Sequence, residues 1–370
     1  MDVGVELVFQ NVHESMSDEV MFRNECKVAE LCEELGFDSV WPVEHHFREY
    51  AMCPDNTQFL SWLAGRTNRI KLGTGAVILP WNEPLRVAEK LVVLDHLSDG
   101  RALFGMGRGL SRREYAGFGI DMSEARERFD ESAKMILAAL ENGYIEGDGR
   151  YYKQPRIDIR PRPSRSFKGR TYGVAVSAES VGSVADLGAR LMFFAQYEAE
   201  KHKPAVDEYR RLYRERHQTA PGPIVNVGFM YCDDDPGRAQ ENARRYITRY
   251  FHELVYHYDM MGAHFAGTSG YKSYAQAAEM LRAAGMEAAG EAFVNAQDWG
   301  TPNRILERIE RRRAVLGDME VSVVTSYGGM PYADVERSMR LFSEKVMPEL
   351  RSWDASRGYS ESHREAVAQA

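Results

Sequence analysis

Short β-rich apolar runs alternate along this chain with longer stretches whose apolar residues recur every three or four positions. The run Val3–Phe9 is followed by Asp18–Leu35, where Val20, Val28, Leu31 and Leu35 fall at helical spacing and Gly36 supplies a stop. The alternation continues with strand-like Phe37–Trp41 and helical Thr57–Arg66, then Arg69–Gly73 and Leu85–Leu97. Ala102–Met106, entered through the turn Ser98-Asp99-Gly100, precedes a long amphipathic stretch, Ser123–Asn142. Farther on, Tyr172–Val176 pairs with Ala178–Leu187, Arg190–Ala195 with a polar helix Glu200–His217, and Ile224–Tyr231 with a helix capped by Asp233–Asp235 and running to Tyr258. Pro302–Leu316 reads as a helix, Glu320–Thr325 as the eighth strand and Tyr332–Leu350 as the last helix.

Two segments break the rhythm. Tyr151–Arg170 carries Pro155, Pro161 and Pro163 among basic residues and reads as an irregular excursion with a hairpin. Gly262–Trp299 is rich in Gly and Ala, shows no clear strand and reads as an insertion. Strands alternating with helices predict a parallel sheet of βαβ units. Eight such strands predict an α/β fold of the (β/α)8 TIM barrel type with insertions, in preference to a doubly wound sheet. The expected organisation is one domain over residues 1–350, with 351–370 as a loose polar tail.

Composition narrows the functional classes. A length of 370 residues suits two or three domains or a single barrel of about 250 residues with insertions. Lys and Arg number 47 against 55 Asp and Glu, a net charge of −8, which speaks against a nucleic-acid binder that must displace counterions. The four cysteines form no C-x-x-C pair and no zinc-like spacing, as expected of reduced thiols. The first ten residues lack a basic region, and no apolar run approaches the roughly 18 residues of a membrane helix. A cytoplasmic protein without membrane or nucleic-acid partners is expected.

Chemistry in such a barrel sits in the loops after the strands, and the unusual residues collect there. Glu44-His45-His46-Phe47 follows the second strand, Gly73-Thr74-Gly75-Ala76 the third, and Gly105-Met106-Gly107-Arg108-Gly109 the fourth. Ser177-Ala178-Glu179-Ser180 follows the fifth and Ser326-Tyr327-Gly328-Gly329 the eighth. Either histidine can exchange protons near neutrality. Consecutive loop residues seldom place two imidazoles on one ion, and His252, His257 and His264 lack the spacing of a zinc helix, so no metal is expected. The glycines of Gly105–Gly109 are spaced G-x-G-x-G without the acidic residue of a dinucleotide fingerprint. They suit close approach of backbone to a ligand. Arg108 is either a phosphate fork or a salt-bridged side chain. Ser177, Glu179, Ser180 and Ser183 lie where a strand feeds a helix, and serve either an anion at the helix N-terminus or as plain caps.

These residues together resemble the bacterial luciferase-like family of flavin-dependent monooxygenases over nearly the whole chain. The similarity is carried by Glu44-His45-His46-Phe47, by Leu72-Gly73-Thr74-Gly75-Ala76-Val77-Ile78-Leu79-Pro80, and by Phe104-Gly105-Met106-Gly107-Arg108-Gly109-Leu110. Phe118-Gly119-Ile120-Asp121-Met122 and Arg126 complete it. The resemblance implies reduced FMN at the mouth of a TIM barrel, supplied by a separate reductase, with O2 acting through a C4a-(hydro)peroxyflavin on a small organic substrate. By the same resemblance His45 is the catalytic acid or base and Glu44 its neighbour in the flavin site. Gly75 and Ala76 are joined by a non-prolyl cis peptide under the flavin ring, Arg108, Glu179, Ser180 and Ser183 bind the phosphate, and the protein is a homodimer. Two departures stand out. Gly107 occupies the position of a reactive cysteine in the luciferase α subunit, and Gly262–Trp299 matches no part of the luciferase mobile loop, so neither light emission nor substrate carries over. Two other activities are compatible with the same barrel: hydride transfer with a deazaflavin (coenzyme F420), and a non-catalytic flavin-binding subunit.

Overall fold

The computed structural model describes residues 1–268 and 271–353; positions 354–370 of the expected tail lie outside the described residues. In chain order the strands are β1 (Val3–Leu7), β2 (Ser39–Pro42), β3 (Lys71–Gly73), β4 (Val77–Ile78), β5 (Ala102–Gly107), β6 (Tyr144–Asp148), β7 (Lys153–Asp158), β8 (Thr171–Val174), β9 (Arg190–Phe194), β10 (Ile224–Cys232), β11 (Asp298–Gly300) and β12 (Met319–Val324). Hydrogen bonding runs β1–β2–β3–β5–β8–β9–β10–β12, and β12 pairs back to β1 with Val3 opposite Val321. Every ladder of this ring is parallel. The eight strands form the closed barrel expected from the alternation, with helices around it. Helices cover the outer faces and side chains fill the inside, so both faces of most ring strands are buried and their sequences read as nearly unbroken apolar runs.

The interior is packed from the amino-terminal end upward. Trp41 on β2 lies where a Cβ of Gly73 would sit, so only glycine at that position lets the indole cross the barrel. Its Nε1 donates to Ser39 Oγ at 2.8 Å, and its ring meets Tyr172 edge-on at 4.9 Å. Arg190 donates to the Tyr172 hydroxyl at 2.8 Å and pairs with Glu320 at 2.7 Å, which closes the lower end with satisfied polar groups. The layer above is small, and the barrel opens there.

In the helix Asp18–Glu34 the buried face follows the apolar spacing with one exception. Val28 and Leu31 are buried, but Val20 is 43% exposed and Met21 is buried in its place. Ser17 caps this helix by accepting from the Val20 backbone N–H, which fixes Val20 in the first turn on the outer side. The irregular excursion is a hairpin that begins earlier than its prolines suggest: β6 and β7 pair antiparallel, with Tyr144 opposite Asp158.

The segment 262–299 does contain a strand, contrary to the sequence reading. β11 pairs parallel to β10, with Met230 opposite Asp298. Its sequence, Asp298-Trp299-Gly300, has no β-branched run to announce it. The strand exists because β10 extends past its barrel partners: β9 pairs with it only as far as Val227 (opposite Phe194) and β12 only as far as Phe229 (opposite Val324), which leaves an edge open from Met230 to Cys232. Asp298 is fully buried there against Arg312, whose Nη1 lies 2.9 Å from Oδ2 and 2.7 Å from Asn226 Oδ1. Among the described residues no helix is long and apolar enough to cross a membrane.

Removing one partner of a buried ion pair strands the other charge. Arg312→Ala is therefore expected to destabilise the fold by about 3–5 kcal/mol, read as a lower urea midpoint with an unchanged slope; a shift below about 1 kcal/mol, the scale of a surface pair, would show that Asp298 is solvated.

Candidate active site

One cavity of about 390 Å³ opens at the carboxyl end of the barrel, and residues that follow β2, β3, β5, β8, β9 and β10 reach its wall, whereas Ser326-Tyr327-Gly328-Gly329 after the eighth strand of the ring does not line it. Glu44, His45, Gly75, Ala76, Arg108 and Ser180 all line it. His45 and Arg108, from opposite sides of the sequence motif set, thus share one space. Ser177, Glu179 and Ser183 do not line it. Ser177 accepts from the Ser180 backbone N–H at 3.2 Å and is the helix cap, Ser183 sits behind the wall, and Glu179 is exposed.

The imidazole end is organised by an acid that the motif reading missed. Glu114, on the helix Arg112–Gly117 after β5, is buried, and its Oε1 lies 3.0 Å from His45 Nδ1 and accepts the His46 backbone N–H at 2.8 Å. His257 Nε2 stands 3.7 Å from the same oxygen. Burial pushes the Glu114 carboxyl up, but the imidazoles of His45 and His257 outweigh it and hold the group well below the usual carboxylate range. Glu114 is ionised. With Nδ1 turned to this carboxylate, Nε2 is the nitrogen that stands 3.2 Å from the Tyr258 hydroxyl on the cavity side.

Glu44 plays a different part from its neighbour. Its Oε1 accepts from Trp81 Nε1 at 2.7 Å and Asn82 Nδ2 at 2.8 Å, with His46 Nε2 at 3.2 Å, and its Oε2 accepts the Ile78 backbone N–H at 3.1 Å. With its lone pairs occupied, it ties the loop after β2 to the loop after β3. The Gly75–Ala76 peptide between these loops is cis. Asn56 Nδ2 donates to the Ala76 carbonyl at 3.1 Å, and the Gly75 N–H donates to the Pro42 carbonyl at 3.0 Å. Beneath Gly75 lies Glu6, buried and without a hydrogen-bond partner among the described residues; burial pushes its carboxyl well up, so it is neutral.

The guanidinium end holds two arginines. Arg126 donates to Ser180 Oγ at 2.9 Å and Ser183 Oγ at 3.1 Å, and lines the cavity beside Arg108. Burial and then the nearby Arg108 charge pull the Arg126 pKa down. Arg108 stacks over the Tyr271 ring at 4.0 Å, while the Tyr271 hydroxyl donates to the Gly109 carbonyl at 3.1 Å. Two neighbouring guanidiniums, with the Ser180 hydroxyl at a helix start bonded to one of them, make a seat for a dianion such as a phosphate monoester.

The sequence spacing led to the expectation of no metal, yet the fold brings metal-ligating atoms of His45, Glu114 and His257 within 4.8 Å of one another. The contacts they make in this structure are those of a His–Glu pair with a second imidazole alongside. Local spacing cannot reveal this cluster, because its members come from three separate loops. Arg126 was within the resembling motif but without a role, and its signal was its place in the first turn of the long amphipathic helix Ala125–Asn142.

Residues 1–319 match the luciferase-like monooxygenase family. The alkanal monooxygenase alpha chain of Photorhabdus luminescens is 29% identical over 234 residues, covering 62% of this chain and 64% of that relative, so the match spans less than two thirds of its length. Among solved structures, monooxygenase RslO1 from Streptomyces bottropensis superposes with a TM-score of 0.77 at 25% identity, covering 95% of this chain and all (100%) of the other. The oxygenating constituent of 3,6-diketocamphane monooxygenase from Pseudomonas putida, in complex with FMN, gives 0.74 at 17% identity, covering 94% and 98%. The coenzyme F420 dependent tetrahydromethanopterin reductase of Methanopyrus kandleri gives 0.66 at 20% identity, covering 94% and 99%. The last two likenesses show the fold alone.

Burial pulls the His257 imidazole down to about 4, below its unfolded value near 6.5. Between these values the unfolded chain binds the extra proton, so stability falls as pH drops through that window. His257→Phe, which keeps the ring stacked on Tyr50, is expected to remove on the order of 2 kcal/mol of the loss in unfolding free energy between pH 7 and pH 5. An identical pH slope in the variant would show that His257 is protonated in the native state.

Proposed function

The chain belongs to the luciferase-like monooxygenase family, and from that premise we propose that it is a flavin-dependent monooxygenase, using reduced FMN from a separate flavin reductase together with O2 to oxygenate a small organic substrate. One observation carries the reading: a single cavity is lined by the Glu114-oriented His45, by the Gly75–Ala76 peptide and by the paired guanidiniums of Arg108 and Arg126.

The donor set fits FMN from end to end. Arg108, Arg126 and Ser180 would hold its phosphate, and the side-chain-poor surface of Gly75, Ala76 and Gly107 leaves room for a flat ring system. A Cβ at Gly107 would fall 2.9 Å from Ile78 Cδ1, on that same wall. When bound, the reduced flavin supplies the electrons that activate O2. The protein's own share is positional and protonic. Glu114 holds Nδ1 of His45 so that Nε2 takes up or returns a proton at the cavity surface. Glu44 locks the two loops on which His45 and the cis peptide ride. The largely apolar wall excludes water, which strengthens every charged contact inside.

Mixing the protein and photoreduced FMN with air-saturated buffer tests this reading without a known substrate. The protein is expected to slow flavin reoxidation relative to free FMN. His45→Ala should return reoxidation toward the free rate, by roughly 100-fold, with FMN affinity unchanged within about twofold. Arg126→Ala should weaken FMN by about 10- to 100-fold through the lost charge-assisted bonds and leave riboflavin binding unaltered. Anaerobic turnover with a reduced deazaflavin, and no effect on FMN reoxidation, would replace oxygenation by hydride transfer.

A further inference from the structure

His257 is a buried imidazole that the proton chemistry of His45 does not use. Its side chain is 1% exposed, as is that of Glu114. Neither ring nitrogen of His257 has a hydrogen-bond partner among the described residues. The ring is firmly placed, stacked on Tyr50 at 4.3 Å and edge-on to His45 at 5.1 Å. A phenylalanine would fill that space without burying two unpaired polar atoms, a burden that native structures rarely carry without cause.

The nitrogen nearest Glu114 belongs to a cluster. Ligand atoms of His45, Glu114 and His257 all lie within 4.8 Å of one another. Glu114 Oε1 is 3.0 Å from His45 Nδ1 and 3.7 Å from His257 Nε2. A tetrahedral zinc with bonds of about 2.0–2.1 Å sets its ligand atoms about 3.3–3.4 Å apart. The two observed separations straddle that edge, so small movements of the rings bring both to it. Two imidazoles and a carboxylate are a zinc donor set, whereas Mg2+ and Ca2+ take oxygen ligands. The outer contacts are present as well. The His46 backbone N–H donates to Glu114 Oε1 at 2.8 Å and steadies the carboxylate. The Tyr258 hydroxyl, 3.2 Å from His45 Nε2, can accept the remaining N–H of a ring bound through Nδ1. His45 and Glu114 line the cavity, which supplies the path for an ion and a water as its fourth ligand.

We propose that His45, Glu114 and His257 form a zinc site, and that its occupancy shuts off oxygenation; the second half rests on the reading of this cavity as the oxygenation site. Zinc on Nδ1 leaves the proton of the neutral His45 ring on Nε2. That nitrogen then donates to Tyr258 and no longer takes up a proton at the cavity surface. The three ligands arrive from the loop after β2, from the helix Arg112–Gly117 and from the end of the helix Pro236–His257. Zinc would therefore also cross-link the mouth of the barrel.

Titration calorimetry on the full chain, stripped of divalent ions and free of FMN, tests the site directly. Zinc chloride is expected to fill one site per chain, cobalt(II) to bind there with the strong visible absorption of a four-coordinate ion, and Mg2+ to give no heat. His257→Phe, which keeps a ring against Tyr50, and Glu114→Gln should each weaken zinc beyond the roughly 10- to 100-fold that an outer partner is worth, and Tyr258→Phe should weaken it within that range. His252→Ala, which removes an exposed imidazole from the same helix, should change nothing. Thermal melts confirm the fold of each variant, and with three separate ligands the loss of one variant to misfolding leaves two to decide. Absence of zinc binding, binding that survives His257→Phe and Glu114→Gln, or a six-coordinate cobalt spectrum overturns the site. Zinc added before reduced FMN should return flavin reoxidation to the free rate, and slowing that persists in the zinc-loaded protein overturns the shut-off. Failure of the oxygenase reading would register separately, as reoxidation at the free rate with or without zinc while the calorimetric site remains.

Discussion

Glu114 carries a negative charge where solvent hardly reaches, and the mouth of the barrel is arranged around keeping it there. The cost of stripping water from a carboxylate is several kcal/mol, offset here by His45, by the His46 backbone N–H and by the nearness of His257. Those partners belong to the loop after β2 and to the end of the helix Pro236–His257, whereas Glu114 comes from the loop after β5. One charge therefore ties together three strand-end loops, and the turn of the His45 ring, Nδ1 toward the carboxylate, follows from it.

The location of the cavity has an equally simple cause. A barrel of eight parallel strands is a packed core, filled in layers by inward side chains. Here the lower layer takes large residues, Trp41 and Tyr172, and the upper one takes Gly75, Ala76 and Gly107. The change from bulky to small at that level leaves a space in the upper layer, and the loops above supply the polar groups. Glu6 stands at the boundary between the two, neutral and unpaired among the described residues, in keeping with a layer too dry to ionise it.

Most of the ring was legible because most of its strands, buried on both faces, are written as apolar runs, and each is followed by a helix with its own period. The residues of the imidazole and phosphate ends were legible as types, since Glu44, His45 and Arg108 follow strands directly. What stayed hidden depended on tertiary position. β11 is a strand only because β10 overhangs its neighbours, and Val20 faces outward only because Ser17 caps the turn before it. Glu114, His257 and Tyr258 are ordinary helix residues until the fold sets them around one imidazole. Ser177 illustrates the converse: a residue whose sequence position suited an anion and whose side chain caps its own helix.

The overhang of β10 has a consequence for how such a protein diversifies. The chain leaves the barrel through the helix Pro236–His257, builds the helices Lys272–Ala284 and Met286–Asn295 and returns at β11 to the same strand it left. Departure and return are thus stapled to one edge, with Arg312 and Gln297 anchoring the return. The stretch between is a cassette. Its lining can be exchanged over evolutionary time, and with it the molecules admitted, so long as His257, Tyr258 and Tyr271 keep their contacts with Glu114, His45 and Arg108 on the loops outside it.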